Sequence, residues 1–183
     1  MSSPLEVPGL DVAGRVRARD IQMAGVADVR RRVLMVSGAI DAVDYDVSVS
    51  INLPEPGRWQ IIKSETNLTD QTWVAMQVTT DDDTHFVEGG DALVMSRQFS
   101  KSFLTPDMRR LTFFDGEVRP GEAVLKVFEI ETDVRRPAYA HARYSPVSSD
   151  SADRSEELLQ RMVTDGMPQR PTIEVIVPVT VIG

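Results

Sequence analysis

Residues 45–53, Tyr-Asp-Val-Ser-Val-Ser-Ile-Asn-Leu, decide the fold class, because apolar and polar side chains alternate strictly along the whole segment. Successive side chains of a β-strand point to opposite faces, so this pattern predicts a strand with one buried and one solvated face. Residues 54–57, Pro-Glu-Pro-Gly, then predict a turn. Residues 58–63 return as a second strand with Trp59 and Ile61 on one side, so the two strands together predict a β-hairpin.

The same period of two returns in the middle of the chain. Residues 74–78 and 85–87 flank a polar turn at residues 81–84, which predicts a further strand and its return. Residues 111–114 end at an Asp-Gly pair, which is typical of a tight turn. Residues 123–134 are apolar on both parities at their centre, and this predicts a central strand that is covered on both faces.

Two other strand segments carry interruptions. Residues 93–103 keep their apolar side chains on one parity, but Arg97 and Lys101 fall on that parity too, which predicts a bulge midway. Residues 172–182 place isoleucine and valine side chains on one face. Pro178 lies within this segment and cannot donate a ladder hydrogen bond, so the segment is predicted to be an edge strand.

One amphipathic helix is predicted near the C-terminus. Asp153 stands three residues before Glu156, apolar residues follow at helical spacing through residues 158–163, and Gly166 stands where a C-terminal cap belongs. A second segment, residues 27–36, fits either a helix or a strand.

These segments predict an all-β fold, a mainly antiparallel β-sandwich or barrel of jelly-roll type, with one short helix before the last strand. Residues 1–13 contain two prolines and a glycine and predict an extended N-terminal arm, whereas residues 14–183 predict a single β domain. The residues predicted to form the core include Val49, Ile51, Val127, Phe128, Val175 and Val177.

Composition limits the possible functions. The chain has 183 residues, a net charge of -8 and no cysteine, which excludes disulfides, thiolate zinc sites and cysteine nucleophiles. No apolar run approaches the roughly 20 residues of a membrane-spanning helix, and the N-terminal residues show no secretory signal pattern. The sequence therefore predicts a protein of the cytoplasm or of a virion, with no membrane partner.

Arginine is concentrated in the first 32 residues, and the remainder of the chain is acidic. Phosphate binding depends on clustered basic side chains, so nucleic acid is an expected partner only through this strip. The pattern favours solvated strand edges or subunit contacts over a nucleic-acid site. The strip consists of Arg15, Arg17, Arg19, Arg30, Arg31 and Arg32.

The densest group of acids supplies the candidate metal ligands and acid–base residues. Carboxylates crowded on a loop could hold calcium, but their spacing does not match an EF-hand, and a solvated hairpin tip is favoured. His85 beside Asp83 is the local candidate for general-base chemistry. No motif marks a nucleophile or a bound cofactor, so we expect no enzymatic activity. The calcium candidates are Asp81, Asp83, Glu88 and Asp91.

Residues 135–144 are the candidate contact surface. Tyr139, His141 and Arg143 share one face of a predicted strand, and three alanines occupy the other. Large amphipathic side chains suit a protein interface, although the same face would also suit the core. The interface candidates are Arg15, Arg17, Arg19, Arg135, Arg136, Tyr139, His141, Arg143 and Tyr144.

Three functions remain open. The first is a non-enzymatic structural subunit that assembles with its own copies or with other particle proteins, as coat, decoration or tail components of viruses and phages do. The second is a monomeric or dimeric β-sandwich that binds a small ligand or a protein, for which an apolar pocket with a few polar groups would be diagnostic. The third is a carboxylate-dependent hydrolase that uses Asp81, Asp83 and His85.

Overall fold

The computed structural model describes residues 21–183, which form thirteen β-strands and one α-helix. The strands and helix are, in chain order, β1 (Ile21–Asp28), β2 (Val33–Ile40), β3 (Asp46–Ile51), β4 (Gly57–Asn67), β5 (Trp73–Thr80), β6 (Thr84–Val87), β7 (Met95–Ser96), β8 (Phe99–Leu104), β9 (Arg110–Val118), β10 (Ala123–Thr132), β11 (Ala138–Tyr144), α1 (Ala152–Asp165), β12 (Thr172–Val177) and β13 (Val179–Ile182).

Two sheets pack face to face as a sandwich. Sheet A has the order β13-β1-β2-β4-β10-β6, with β7 also pairing with β10, and sheet B has the order β12-β3-β11-β5-β9-β8. Most neighbours are antiparallel, but β1 and β13, β2 and β4, and β3 and β12 run parallel. This confirms the predicted all-β fold with a helix before the final strands. Within residues 21–183 neither sheet closes into a barrel.

Alternation along the strands builds the core between the sheets. Val49 and Ile51 of β3 and Trp59 of β4 are completely buried, as the sequence pattern predicts. Phe128 and Val177 are buried as well, whereas Val175 is half-buried. The segment of residues 27–36 that fitted a helix or a strand belongs to the hairpin of β1 and β2.

The predicted hairpin around residues 54–57 is wrong, because β3 lies in sheet B and β4 lies in sheet A. The turn reverses the chain but carries it across the core. Proline and glycine determine the local reversal, and they do not determine which strand the returning segment pairs with. The connection from β5 to β6 crosses between the sheets in the same way.

Two further interruptions differ from their predicted form. The long segment at residues 93–103 is broken between β7 of sheet A and β8 of sheet B, so residues 97–98 mark a change of sheet. Asp115 and Gly116 do not end a strand. They form a bulge inside β9, where the pairing shifts between Trp73–Val118 and Ala75–Phe114.

The C-terminal region follows its predicted outline with two differences. The N-cap of α1 is Ser151, whose hydroxyl accepts the Arg154 backbone N–H, and Asp153 lies in the first turn. Gly166 is the C-cap, as predicted. Pro178 divides the last segment into β12 and β13, and each is an edge strand of its sheet.

Candidate functional site

Four ionisable side chains meet between the two sheets. Lys63 and Glu65 come from β4, Lys126 from β10 and His141 from β11, and all four are 0% exposed. Alternation explains their position, because Lys63 and Glu65 continue the buried face of β4 that begins at Trp59. We call these four residues the buried charge cluster.

The carboxylate of Glu65 lies at the centre of the buried charge cluster. Its Oε1 is 2.8 Å from Nζ of Lys126 and 3.4 Å from Nζ of Lys63, and its Oε2 is 3.6 Å from Nε2 of His141. Lys126 Nζ is also 2.8 Å from His141 Nε2. The ammonium of Lys63 lies 4.6 Å from the ring centroid of Tyr139. One carboxylate therefore balances two ammonium groups.

Burial and neighbouring charges shift the pKa values in this cluster. Desolvation alone would raise the pKa of Glu65, but the charges of Lys126 and Lys63 outweigh it and hold that pKa well below its usual range. Desolvation lowers the pKa of Lys126 to about 8, against partial compensation by Glu65. Desolvation also lowers the pKa of Lys63. Glu65 is therefore ionised at neutral pH.

His141 is neutral in this environment. Desolvation, followed by the charge of Lys126, holds the pKa of His141 well below its usual range. A neutral imidazole accepts a hydrogen bond at one nitrogen, so Nε2 accepts from the Lys126 ammonium and the proton resides on Nδ1.

The cluster ties three strands together and offers no surface to a substrate. All its members are fully buried, so a reactant has no direct access to them. A one-residue slip of β4 against β10 would turn Lys63 and Glu65 to the opposite face and leave Lys126 without its carboxylate. The cluster therefore favours the observed register of β4 and β10 over a slipped one.

Arg143 connects this interior to one end of the sandwich. It follows His141 on the inward face of β11 and is 6% exposed. Its guanidinium donates to the carbonyls of Ala42, at 2.7 Å, and Tyr45, at 2.5 Å, and lies 5.3 Å from the ring centroid of Trp73. Desolvation, followed by repulsion from a second arginine, lowers the pKa of Arg143 to about 10.

A cavity of about 210 Å³ opens beside Arg143. Its walls come from the connection between β2 and β3 with the start of β3, the connection between β4 and β5 with the start of β5, the end of β11, the end of α1 and the segment that joins α1 to β12. The lining side chains on which its chemistry depends are Trp73, Arg143, Tyr144, Met162, Met167 and Arg170. An apolar chamber with a few polar groups is the usual form of a small-molecule site.

Arg170 is held at the same cavity by a carboxylate. Its Nε and Nη2 donate to Oδ1 of Asp46 at 3.1 and 2.9 Å, and its Nη1 donates to the carbonyl of Val43 at 3.0 Å. Nη2 also reaches the carbonyl of Arg143. Asp46 thus neutralises Arg170, whereas the hydrogen bonds of Arg143 to Ala42 and Tyr45 are made with neutral carbonyls.

A second candidate site is the outward face of sheet A. The pairing register places its side chains in three rows across β1, β2, β4 and β10, and none of the twelve is charged. We call this surface the uncharged face. Its rows are Gln22-Ala39-Thr66-Ala123, Ala24-Ser37-Ser64-Leu125 and Val26-Met35-Ile62-Val127, and Met95 of β7 lies next to Val127.

The predicted acidic ligands are not brought together as a calcium site. Asp91 pairs with Arg58 at 3.1 Å, and the Asp83 carboxylate accepts the hydroxyl of Thr84. Asp81 and Glu88 are exposed near these positions. Among residues 21–183, no group of three or more histidine, aspartate or glutamate side chains is arranged to hold a metal ion.

The predicted contact surface of residues 135–144 needs correction. Tyr139, His141 and Arg143 are buried, because β11 turns its large side chains toward the core and its alanines outward. Tyr144 is half-buried at the cavity. Arg135 and Arg136 are exposed, and Arg136 donates to the Asn52 side chain.

The predicted arginine strip is described only in part. Arg15, Arg17 and Arg19 lie outside the described residues. Arg30 and Arg31 are exposed at the β1–β2 turn. The guanidinium of Arg32 makes its contacts within the chain, since it lies 4.4 Å from the ring centroid of Trp59 and pairs with Glu55.

A protein-family model matches residues 23–183, and its description is a family of unknown function, DUF6423. The chain belongs to this family. The DUF6423 match includes the buried charge cluster, the cavity and most of the uncharged face. No curated protein and no solved structure matches the chain. Within residues 21–183, no helix has the length and apolarity that crossing a membrane requires.

Proposed function

We propose that this protein is a non-enzymatic structural subunit that assembles with its own copies, as coat, decoration or tail components of viral and phage particles do. The uncharged face carries the proposal. Charged residues make up 26% of the chain, yet none of the twelve side chains in its three rows is charged. Depletion of charge at the centre of a surface is characteristic of protein interfaces.

The apolar row of the uncharged face supplies the contact area. Val26, Met35 and Ile62 pair successively across three strands, and Met95 extends the row beyond Val127, which is itself buried at 7% exposure. Met35 is 48% exposed and Met95 is 39% exposed. Burying such side chains stabilises an interface by roughly 25 cal/mol for each Å² of apolar surface removed from water.

A second copy of the chain is the partner that best fits this face. Each chain carries a net charge of -8, so two copies repel each other wherever their acidic surfaces meet. The uncharged face is a surface on which two copies can approach without that repulsion. An uncharged surface is also complementary to itself, as a two-fold contact requires.

The dimensions of the face suit the centre of a stable interface. With strands about 4.8 Å apart and about 3.4 Å per residue, four strands and five residues cover an area of roughly 19 by 17 Å. Stable interfaces bury about 800 Å² on each partner, so the surrounding polar residues would form the rim.

Growth beyond a pair needs another contact, because a two-fold interface closes on itself. The edge strands β12 and β13 supply a candidate surface. Ile176, Val181 and Ile182 are 58%, 52% and 47% exposed on these strands. Unpaired edges with apolar side chains readily pair with another chain. We assign particle growth to these edges and the location of the protein to a virion or the cytoplasm of its host.

Light scattering of the purified chain behind a sizing column tests the proposal. We expect a dimer or larger multimer, and we expect Met35→Glu to convert it to a monomer, because the contact would bury two facing carboxylates. Val147→Glu is the matched control, since Val147 is 58% exposed and lies in the loop after β11 of sheet B. A wild-type monomer at high concentration, or a multimer unaffected by Met35→Glu, would contradict the proposal.

The other two functions have unequal support. A binding module is favoured by the cavity at Arg143 and is developed below. The structure does not support the hydrolase hypothesis, because His85 is exposed and the Asp83 carboxylate accepts its hydrogen bond from Thr84.

A further inference from the structure

The cavity at the end of the sandwich has the size of a small organic molecule. Its volume is about 210 Å³, and an apolar protein cavity of about 150 Å³ is known to accommodate benzene. Trp73, Met162 and Met167 provide apolar walls. Methionine side chains adapt to irregular shapes, so the two methionines can pack around an inserted ring.

The polar side of the cavity carries an excess of positive charge. Arg143 and Arg170 both line it, and Asp46 is the carboxylate among its lining residues. Asp46 is engaged by Arg170 through two hydrogen bonds to one oxygen. Lys63 and Lys126 share the single carboxylate of Glu65 farther inside. A buried cation without a counter-ion is costly, so an anion placed beside Arg143 would be strongly favoured.

Two residues that line the cavity, Arg143 and Tyr144, each carry one buried polar atom without a hydrogen-bond partner among the described residues. These atoms are Nε of Arg143 and the hydroxyl of Tyr144. Arg143 itself is 94% buried, being 6% exposed. Buried polar atoms are nearly always hydrogen-bonded in native proteins, so an anion beside Arg143 would complete the hydrogen bonds that its guanidinium can donate.

We propose that this cavity binds a small organic monoanion, with an aromatic or branched body of roughly ten non-hydrogen atoms and one carboxylate group. The carboxylate pairs with the guanidinium of Arg143, whose Nε has no other partner among the described residues. The apolar body packs on Trp73, Met162 and Met167. This inference goes beyond the proposed assembly and does not depend on it.

The arrangement favours one negative charge over two. Among the described residues that line the cavity, Asp46 forms its ion pair with Arg170, and the guanidinium of Arg143 forms none. The carbonyl contacts of Arg143 and its position 5.3 Å from the Trp73 ring centroid hold that guanidinium in place before binding. A preorganised cation lowers the ordering cost of binding.

Calorimetric titration of the full chain with phenylacetate and with phenylacetamide tests the inference. The two probes have nearly the same shape and differ in charge. We expect phenylacetate to bind at least about tenfold more tightly, because the amide leaves the charge of Arg143 unbalanced. Equal affinity for the two probes, or no binding of either at concentrations on the order of 10 mM, would overturn the inference.

Three variants locate the binding at this cavity. Arg143→Gln should remove the preference for phenylacetate, whereas Arg154→Gln, on the exposed face of α1, should leave it unchanged. Ala142→Leu adds side-chain volume to the cavity without changing a charged residue. It should lower the affinity for both probes at least about tenfold. Ala142→Leu remains informative if Arg143→Gln fails to fold, and wild-type affinity in Ala142→Leu would refute the assignment.

Discussion

At the residue scale, the ammonium group of Lys126 illustrates how burial changes the pKa of a side chain. It is removed from water entirely, and its pKa falls from 10.5 to about 8 because of desolvation. Glu65 is close enough to keep it protonated at neutral pH. The protein therefore holds an interior charge whose protonation equilibrium differs between the folded and unfolded states.

We expect this difference to make stability rise with pH between about 8 and 10.5. In that range the unfolded chain still binds a proton at Lys126 and the folded chain does not, so folding becomes relatively more favourable as pH rises. A shift of this size is worth on the order of 3 kcal/mol. Melting temperatures measured across this range should rise less steeply in Lys126→Met than in the wild type.

Lys101→Met is the control for that series, because Lys101 is largely exposed. Its melting temperature should follow the wild-type pH dependence. If Lys126→Met shows the same slope as the wild type, the charge of Lys126 is not coupled to folding.

The buried charge cluster also shows what the sequence can reveal about single residues. The alternation that places Trp59 and Ile61 inside extends through Lys63 and Glu65. The burial of these two charges is nevertheless not predicted from the sequence, because charged side chains are usually exposed. Only the register of β4 with β10 brings Lys126 opposite Lys63.

At the scale of secondary-structure elements, local patterns predicted strands more reliably than strand partners. The alternation in β3 correctly predicted its buried face, and Gly166 correctly marked the end of α1. The turn after β3 predicted a hairpin, but the chain crosses there from sheet B to sheet A. A turn motif specifies backbone torsion angles, whereas pairing depends on contacts with strands far away in the sequence.

The bulge in β9 supports a specific prediction at this scale. A Cβ atom at Gly116 would lie 1.9 Å from the backbone oxygen of Gln98, so no side chain fits without moving β8. We expect Gly116→Ala to lower the free energy of unfolding by roughly 2 kcal/mol or more, measured by urea denaturation.

Gly121→Ala provides the comparison. Gly121 has a φ of +86° and nothing within 4 Å of an added Cβ, so its substitution costs about 1 kcal/mol of backbone strain alone. Equal stability losses in the two variants would show that the contact between β8 and β9 at Gly116 is not close.

At the scale of the whole molecule, charge is distributed unevenly. The chain is acidic overall, the interior contains the lysines of the buried charge cluster, and the outward face of sheet A has no charge over three rows. The buried lysines affect the pH dependence of stability, and they contribute to the positive charge near the cavity. The third feature is the basis of the proposed self-association, because an uncharged surface lets two acidic molecules approach without repulsion.

The sequence predicts self-association, with Tyr139, His141 and Arg143 among its interface candidates, but the structure buries these three side chains. The uncharged face could not be recognised beforehand, because its members lie on four strands whose order was unknown. Polar residues such as Ser37 and Ser64 also conceal it in the linear sequence.

Crosslinking through a single introduced cysteine tests the central claim most directly, because the natural chain contains no cysteine. Met35→Cys places the thiol on the uncharged face, and Val147→Cys places one at a similarly exposed site in the loop after β11 of sheet B. We expect a short thiol-reactive crosslinker to convert Met35→Cys into a covalent dimer and to leave Val147→Cys largely monomeric. Equal crosslinking of both variants, or none of Met35→Cys, would contradict assembly through this face.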